Sequence, residues 1–299
     1  MRNCIVRGRR RGKTKDIFDC FLKKKEYLVC VDSDGCAMDT MDSKHILCFG
    51  PCLIREWGLE AWQDEIQALW NQINLYTMTR GINRFKGLEL ALREIDRSWQ
   101  KIPGLSELSA WTAAAPELSG AGLARYIQEE KPETEILKKT LSWSETVNQM
   151  VDRLPRQEKA PFKGAAEGLE ELHRWADVAI VSSANEKAII EEWKEWGLLR
   201  HTDIVMSQDA GSKAYCIGRL LGKGYKKERV LMVGDAPGDR DAAALNGVLY
   251  YPILVKKEEA SWERLRSQGL RLFVNGSYKG EYQDARLDEF EENLTPSSH

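Results

Sequence analysis

Two carboxylates separated by one residue, Asp32 and Asp34, close the apolar run Tyr27-Leu28-Val29-Cys30-Val31 and are followed at once by Gly35. On an extended chain they would stand about 7 Å apart, so a loop must bend to bring both to one reactant. Gly35 is the residue that permits such a turn. Once converged, the pair suits phosphoryl chemistry: Asp32 attacks phosphorus, while Asp34 protonates the leaving oxygen and then takes a proton from water. A plain Asp-Gly turn capping a helix accounts for the same residues equally well. The rest of the chain separates the two readings. Ser182, Lys213, and Asp235 with Asp239 arrive in that order, each at or just beyond the end of a predicted strand. A transferring phosphoryl group carries charge on three oxygens, so its catalysis is mainly positioning and neutralisation, here by a hydroxyl, an ammonium and a metal. Magnesium takes oxygen ligands, commonly one or two carboxylates with water and phosphate. Asp32, the main-chain carbonyl of Asp34 and Asp235 meet that requirement.

These residues need elements that aim them at one place. Besides 27–31, short apolar runs stand at Val178–Val181, Ile204–Met206, Val230–Val233 and Val248–Val255, and helical patterns cover 164–176, 185–196, 211–222 and 239–245. Continuous apolar runs of this length read as strands buried on both faces. Their alternation with helices predicts an α/β fold, a Rossmann-like parallel sheet with right-handed crossovers. Ligands gather at the carboxyl ends of such strands, where all the polar residues above fall. Residues 46–160 show helical periodicity, no clear strand, and Trp57, Trp62, Trp70, Trp99, Trp111 and Trp143 spread through them. They predict an inserted α-helical cap domain, with the tryptophans as its core. The α/β core is then 27–45 and 161–299, residues 1–26 are a basic N-terminal extension, and hinges are expected near Phe49-Gly50-Pro51 and at Pro155–Pro161. The tail beyond about Glu292 is expected to fray.

The order and spacing resemble the haloacid dehalogenase-like hydrolase superfamily over roughly residues 27–255. Asp32-Ser33-Asp34-Gly35-Cys36-Ala37-Met38-Asp39-Thr40 is similar to its first motif and Val181-Ser182 to its second. Lys213 is similar to the third, and Val233-Gly234-Asp235-Ala236-Pro237-Gly238-Asp239 to the fourth, GDxxxD. The resemblance implies that Ser182 and Lys213 grip phosphoryl oxygens and that Asp239 supports the metal through water or by holding Lys213. Dehalogenase members lack the second aspartate, so Asp34 points to phosphate. The 150 positions from Asp32 to Ser182, against 31 from Ser182 to Lys213, resemble the branch whose helical cap follows motif one. Lys213 lacks the proline that often follows it, and Ser182 and Ser183 both end their strand. His45 lies one residue beyond the interval at which related sugar-phosphate mutases carry a histidine, and takes no role here. Asn185 either reaches the substrate or caps the following helix.

Substrate choice is expected in the cap, since a lid excludes water and adds specificity. Thr79-Arg80-Gly81-Ile82-Asn83-Arg84-Phe85 is a polar break between helical stretches. Arg80 and Arg84 could bind a second anionic group there, or simply form a solvated turn. Arg55 and Lys163 are weaker candidates of the same kind. The expected activity is a magnesium-dependent phosphatase acting on a small phosphorylated metabolite. A phosphomutase of the beta-phosphoglucomutase type and a non-catalytic phosphometabolite-binding or regulatory protein are the alternatives.

Composition sets the outer limits. At 299 residues, with 42% apolar and 30% charged, the chain is an ordinary globular sequence long enough for two domains. A net charge of -2 gives no global attraction to nucleic acid. Residues 1–26 are the exception, with ten Lys or Arg against three acids, a balance of +7. Arg7, Arg9, Arg10, Arg11, Lys13 and Lys15 could contact RNA or an acidic partner. The absence of interleaved aromatic residues favours a solvated arm instead. No apolar window reaches membrane-spanning length, and the basic start lacks a signal-like apolar run, which predicts a cytoplasmic protein. Seven cysteines with no CxxC pair suit a reducing compartment. The oligomeric state is not legible.

Overall fold

A computed structural model describes residues 16–130 and 135–295. They fall into two compact units, one combining the chain up to Thr40 with Lys159 onward, the other running Met41–Glu158.

In the first unit, β1 (Tyr27–Val31), β2 (Ala176–Val181), β3 (Ile204–Met206), β4 (Val230–Gly234) and β5 (Leu249–Pro252) form one parallel sheet in the order β3-β2-β1-β4-β5. Every residue from Leu28 to Val31 and all of β2 through β5 is buried, as unbroken apolar runs require of strands covered on both faces. One face sends Val29, Val31, Val178, Ile180, Leu231 and Val233 into a core shared with Leu169, Trp193 and Trp262. That period of two is the pleat. Val31 is level with Ile180 on one side and Val233 on the other. Strand order reverses at β1, so the ends of β1 and β4 flank the switch point where open sheets bind ligands. The helices Ala165–Trp175, Glu186–Glu195, Lys213–Leu221 and Pro237–Asn246 occupy the expected stretches.

Three further features were not expected. The C-terminal region folds into Glu258–Arg264, Leu270–Asn275 and Glu281–Leu294, and Trp262 presses so closely on Gly168 that a Cβ there would lie 2.4 Å from its ring. Asn293 and Leu294 do not fray, because Asn293 Oδ1 accepts from Val255 N at 3.0 Å and Leu294 is buried. The extension expected over 1–26 is corrected for its last part. Asp16 caps a helical turn, Phe18 and Phe21 are buried, and Arg219 pairs with Asp16 at 2.6 Å while lying over the Phe18 ring. Lys24 bonds Asp203 at 2.7 Å, and Lys25 the Ala176 carbonyl at 3.0 Å. Two buried aromatic side chains and these polar tethers hold this piece on the core. Arg7, Arg9, Arg10, Arg11, Lys13 and Lys15 lie outside the described residues.

Among its described residues the second unit has helices and no strand, including Gln63–Leu75, Arg84–Ser98, Leu105–Ala114, Gly120–Glu130 and Glu135–Asp152. Trp70, Trp111 and Trp143 are buried with Phe49 and Phe85, in edge-to-face pairs such as Phe85 with Trp111 at 5.1 Å. The unit begins at Met41 rather than near 46, and Phe49-Gly50-Pro51 is not a hinge. Helix runs through it, because a π turn over His45–Phe49 lets Gly50 N–H reach the His45 carbonyl, accommodating the N–H that Pro51 lacks. Among the described residues no helix is long and apolar enough to cross a membrane.

Candidate functional site

Asp32 continues the β1 ladder, its N–H donating to the Val233 carbonyl at 3.0 Å. The chain then turns sharply. The Ser33 carbonyl accepts from the amides of Cys36, Ala37 and Met38 at 3.3, 3.0 and 2.9 Å, Gly35 adopts φ 82°, and its N–H donates to the Met38 carbonyl. Only glycine takes that φ without strain. Trp262 Nε1 donates to the Cys36 carbonyl at 2.9 Å, fixing the turn from the C-terminal helices. Asp34 emerges half-buried, and its Oδ1 accepts from Thr40 Oγ1 at 2.7 Å.

Asp235 and Asp239 follow β4. Asp239 is buried because Gly234 leaves room for it: a Cβ on Gly234 would lie 2.3 Å from the Asp239 carboxyl carbon. Its Oδ2 accepts from Ala236 N at 3.1 Å and its Oδ1 from Lys213 Nζ at 2.6 Å. Lys213 opens the helix Lys213–Leu221, capped by Ser212, and also reaches Asp32 Oδ2 at 2.9 Å. One ammonium thus links carboxylates from the ends of β1 and β4.

Ligand oxygens of Asp32, Asp235 and Asp239 all lie within 4.8 Å of one another, and all three residues are buried. Burial pushes Asp32 up to about 7, with Lys213 pulling it down and Asp239 pushing it further up. Asp239 is likewise raised by burial against the pull of Lys213. Burial alone would lower Lys213, but Asp239 and Asp32 outweigh it and leave it raised and protonated. Three buried carboxylates facing one ammonium call for further positive charge, and an all-oxygen set suits a hard divalent cation. The donors present therefore fit magnesium. The Asp34 carboxylate is not in that group.

Ser182 directly follows β2 and is buried, its N–H donating to the Met206 carbonyl at 2.9 Å, whereas Ser183 is exposed. Ser182 Oγ accepts from Ala184 N at 3.2 Å, and a hydroxyl can still donate. Asn185 caps the helix Glu186–Glu195, accepting from Lys187 N at 3.0 Å, which accounts for it without a ligand. Lys163 pairs with Glu259 at 2.5 Å on the surface. In the helical unit Arg80 is only 3% exposed and donates to the Leu75 carbonyl at 2.8 Å, so its guanidinium serves the unit's own backbone. Arg84 differs. It lies 5.1 Å over the Phe49 ring and donates to Asn148 Oδ1 at 2.7 Å, and burial lowers its pKa. His45 stacks on Phe49 at 4.6 Å, and its Nδ1 accepts from Trp70 Nε1 at 3.0 Å.

Sequence reasoning missed Tyr250, Trp193 and Trp262. Tyr250 OH donates to the Gly234 carbonyl at 3.0 Å, and burial, with Asp239 and Asp235 adding to it, holds the phenol neutral. It steadies the strand end that carries Asp235. No local pattern marks such a residue, since β5 reads as apolar throughout. Cys36, although close to the acidic cluster, has its thiol pushed well up by burial and donates to the Val233 carbonyl.

The model of the haloacid dehalogenase-like hydrolase family matches residues 112–251, a stretch that contains Ser182, Lys213, Asp235 and Asp239 but not Asp32 or Asp34. Among solved structures, the chain is similar to a haloacid dehalogenase-like hydrolase from Bacteroides fragilis, at 15% identity and TM-score 0.47, covering 80% of this chain and 93% of that one. It is similar to a haloacid dehalogenase-like family hydrolase from Streptococcus pneumoniae, at 14% identity and TM-score 0.44, covering 79% and 90%. The HAD-hydrolase YfnB from Bacillus subtilis, bound to magnesium, is a third, at 12% identity and TM-score 0.45, covering 76% and 86%. No curated protein sequence matches the chain.

Proposed function

We propose that this chain, whose residues 112–251 match the model of the haloacid dehalogenase-like hydrolase family, is a magnesium-dependent phosphatase that cleaves a small phosphate monoester through an aspartyl-phosphate at Asp32. The observation that carries the reading is the joining of Asp32 to Asp239 through Lys213, at 2.9 and 2.6 Å, beside Asp235. A nucleophilic carboxylate, a fixed cation and an acidic metal site together are what phosphoryl transfer needs.

In this reading an Asp32 carboxylate oxygen attacks phosphorus, forming the Asp32 O–P bond as the bond from phosphorus to the leaving oxygen breaks. Asp34 donates its proton to that oxygen. It then removes a proton from water, which attacks phosphorus and releases inorganic phosphate, restoring Asp32. Thr40 Oγ1 donates to Asp34 Oδ1 at 2.7 Å, which orients the carboxyl for that exchange. Lys213 and Ser182 bind phosphoryl oxygens. Asp32, Asp235 and the main-chain carbonyl of Asp34 would hold magnesium, with Asp239 supporting it, and the ion when bound neutralises negative charge on the transferring group. In the helical unit, Arg84 is the proposed contact for an anionic group of the substrate, its bonds being to neutral partners.

Asp32→Asn should abolish release of phosphate from an aryl phosphate, to below about a thousandth of the wild-type rate, with an unchanged circular dichroism spectrum. Full turnover by that variant rejects Asp32 as nucleophile.

A further inference from the structure

Ser33 stands between the nucleophile and its acid/base partner, yet its side chain leaves the site. Ser33 Oγ accepts a 2.8 Å hydrogen bond from Trp193 Nε1, and both residues are fully buried. Trp193 belongs to the helix Glu186–Glu195, which follows β2 just past Ser182. The bond therefore ties the turn after β1 to the helix after β2, partners 160 positions apart. The Ser33 main chain is at the same time the hub of the turn, its carbonyl accepting the three amides of Cys36, Ala37 and Met38. An indole offers one donor and no acceptor, and when buried it needs a partner. An apolar residue at position 33 would leave that donor orphaned.

We infer that Ser33 and Trp193 form a positioning pair that sets the aim of Asp32 and Asp34. The role in turnover rests on the phosphatase reading; the ordering of the turn does not. Lys213 restrains the Asp32 side chain and Thr40 that of Asp34. The residue joining them is anchored at its side chain by Trp193, so rotation of the main chain at Ser33, which would swing both carboxylates at once, is blocked. Reacting groups must sit within a narrow range of distance and angle, and a misplacement of about 1 Å can cost about 100-fold.

The test compares S33A, W193F and the double variant with wild type, using an aryl phosphate and magnesium. Each single variant is expected to lower kcat about 10- to 100-fold with KM within about twofold of wild type. The double variant should be no slower than the slower single one, because both substitutions remove the same bond. Hydrogen exchange of the amides of residues 34–40 should quicken in all three while that of the strands stays unchanged. Multiplicative losses, an unchanged kcat in the singles, or loop exchange equal to wild type would overturn the inference. S33A, which removes a single oxygen, keeps the test decisive should W193F not fold. A wild-type protein inert toward the ester would count against the phosphatase reading instead, and the exchange of the turn would still decide the pair.

Discussion

Gly234 shows how a residue without a side chain shapes the chemistry. It precedes Asp235, and the space above its Cα is filled by the carboxylate of Asp239, which is thereby held against Lys213. Gly234→Ala would drive a methyl into that carboxylate and push it off the ammonium. The expected result is at least a tenfold fall in kcat on an aryl phosphate, with a stability loss of about 1–3 kcal/mol in a urea titration. Wild-type turnover would show that Asp239 is not needed where it lies. At this scale the placement of Asp32, Asp34, Ser182, Lys213, Asp235 and Asp239 was legible, because each stands beside the end of a strand or the start of a helix that local pattern reveals. Asn185 was legible only as two alternatives, and its bond to Lys187 N favours the cap. Trp193, Trp262 and Tyr250 were not legible, since a buried polar atom is matched to its partner by packing and not by spacing.

The elements carry their own electrostatics away from the site. Asp203, just before β3, accepts from Lys24 Nζ at 2.7 Å, Val178 N at 3.0 Å and His173 Nε2 at 3.1 Å. Burial pushes its carboxyl up, but these partners outweigh it and hold it below the usual carboxylate range. A depressed folded-state value means stability that is present above the unfolded value, near about 3.9, and lost as pH falls through the folded one. Asp203→Asn should therefore be less stable than wild type at neutral pH, with the difference shrinking below about pH 4 in acid-unfolding curves. A difference constant with pH would show that the charge is not what matters. This network also explains why 16–26 was misread as an extension: the lysines there look like a solvated run, but their partners, Asp203 and the Ala176 carbonyl, lie some 150 or more positions along the chain. The continuous helix through Phe49-Gly50-Pro51 has a similar cause, for Gly-Pro marks a break unless a π turn absorbs the missing donor.

Across the whole molecule, a cation held by the carboxylates at the end of the sheet would couple its binding to stability. A ligand that binds only the folded state at 100 times its dissociation constant adds about 2.7 kcal/mol. Magnesium should accordingly raise the thermal unfolding midpoint of the wild-type protein, and chelation should lower it and stop turnover together. Asp235→Asn should lose the magnesium-dependent rise while remaining at least as stable as wild type without metal, because one of three mutually repelling buried carboxylates has gone. A full magnesium response in that variant would remove Asp235 from the metal site. The sequence by itself determined the α/β alternation, the inserted helical stretch and the order of the acidic, hydroxyl and ammonium residues, since these follow from local periodicity and from what ends each run. Only the tertiary structure decided that the strands order as β3-β2-β1-β4-β5, that Lys213 bridges Asp32 and Asp239, and that Arg80 is used by its own backbone while Arg84 is not. Those outcomes depend on which distant surfaces bury one another, and burial is a property of the packed chain rather than of any stretch within it.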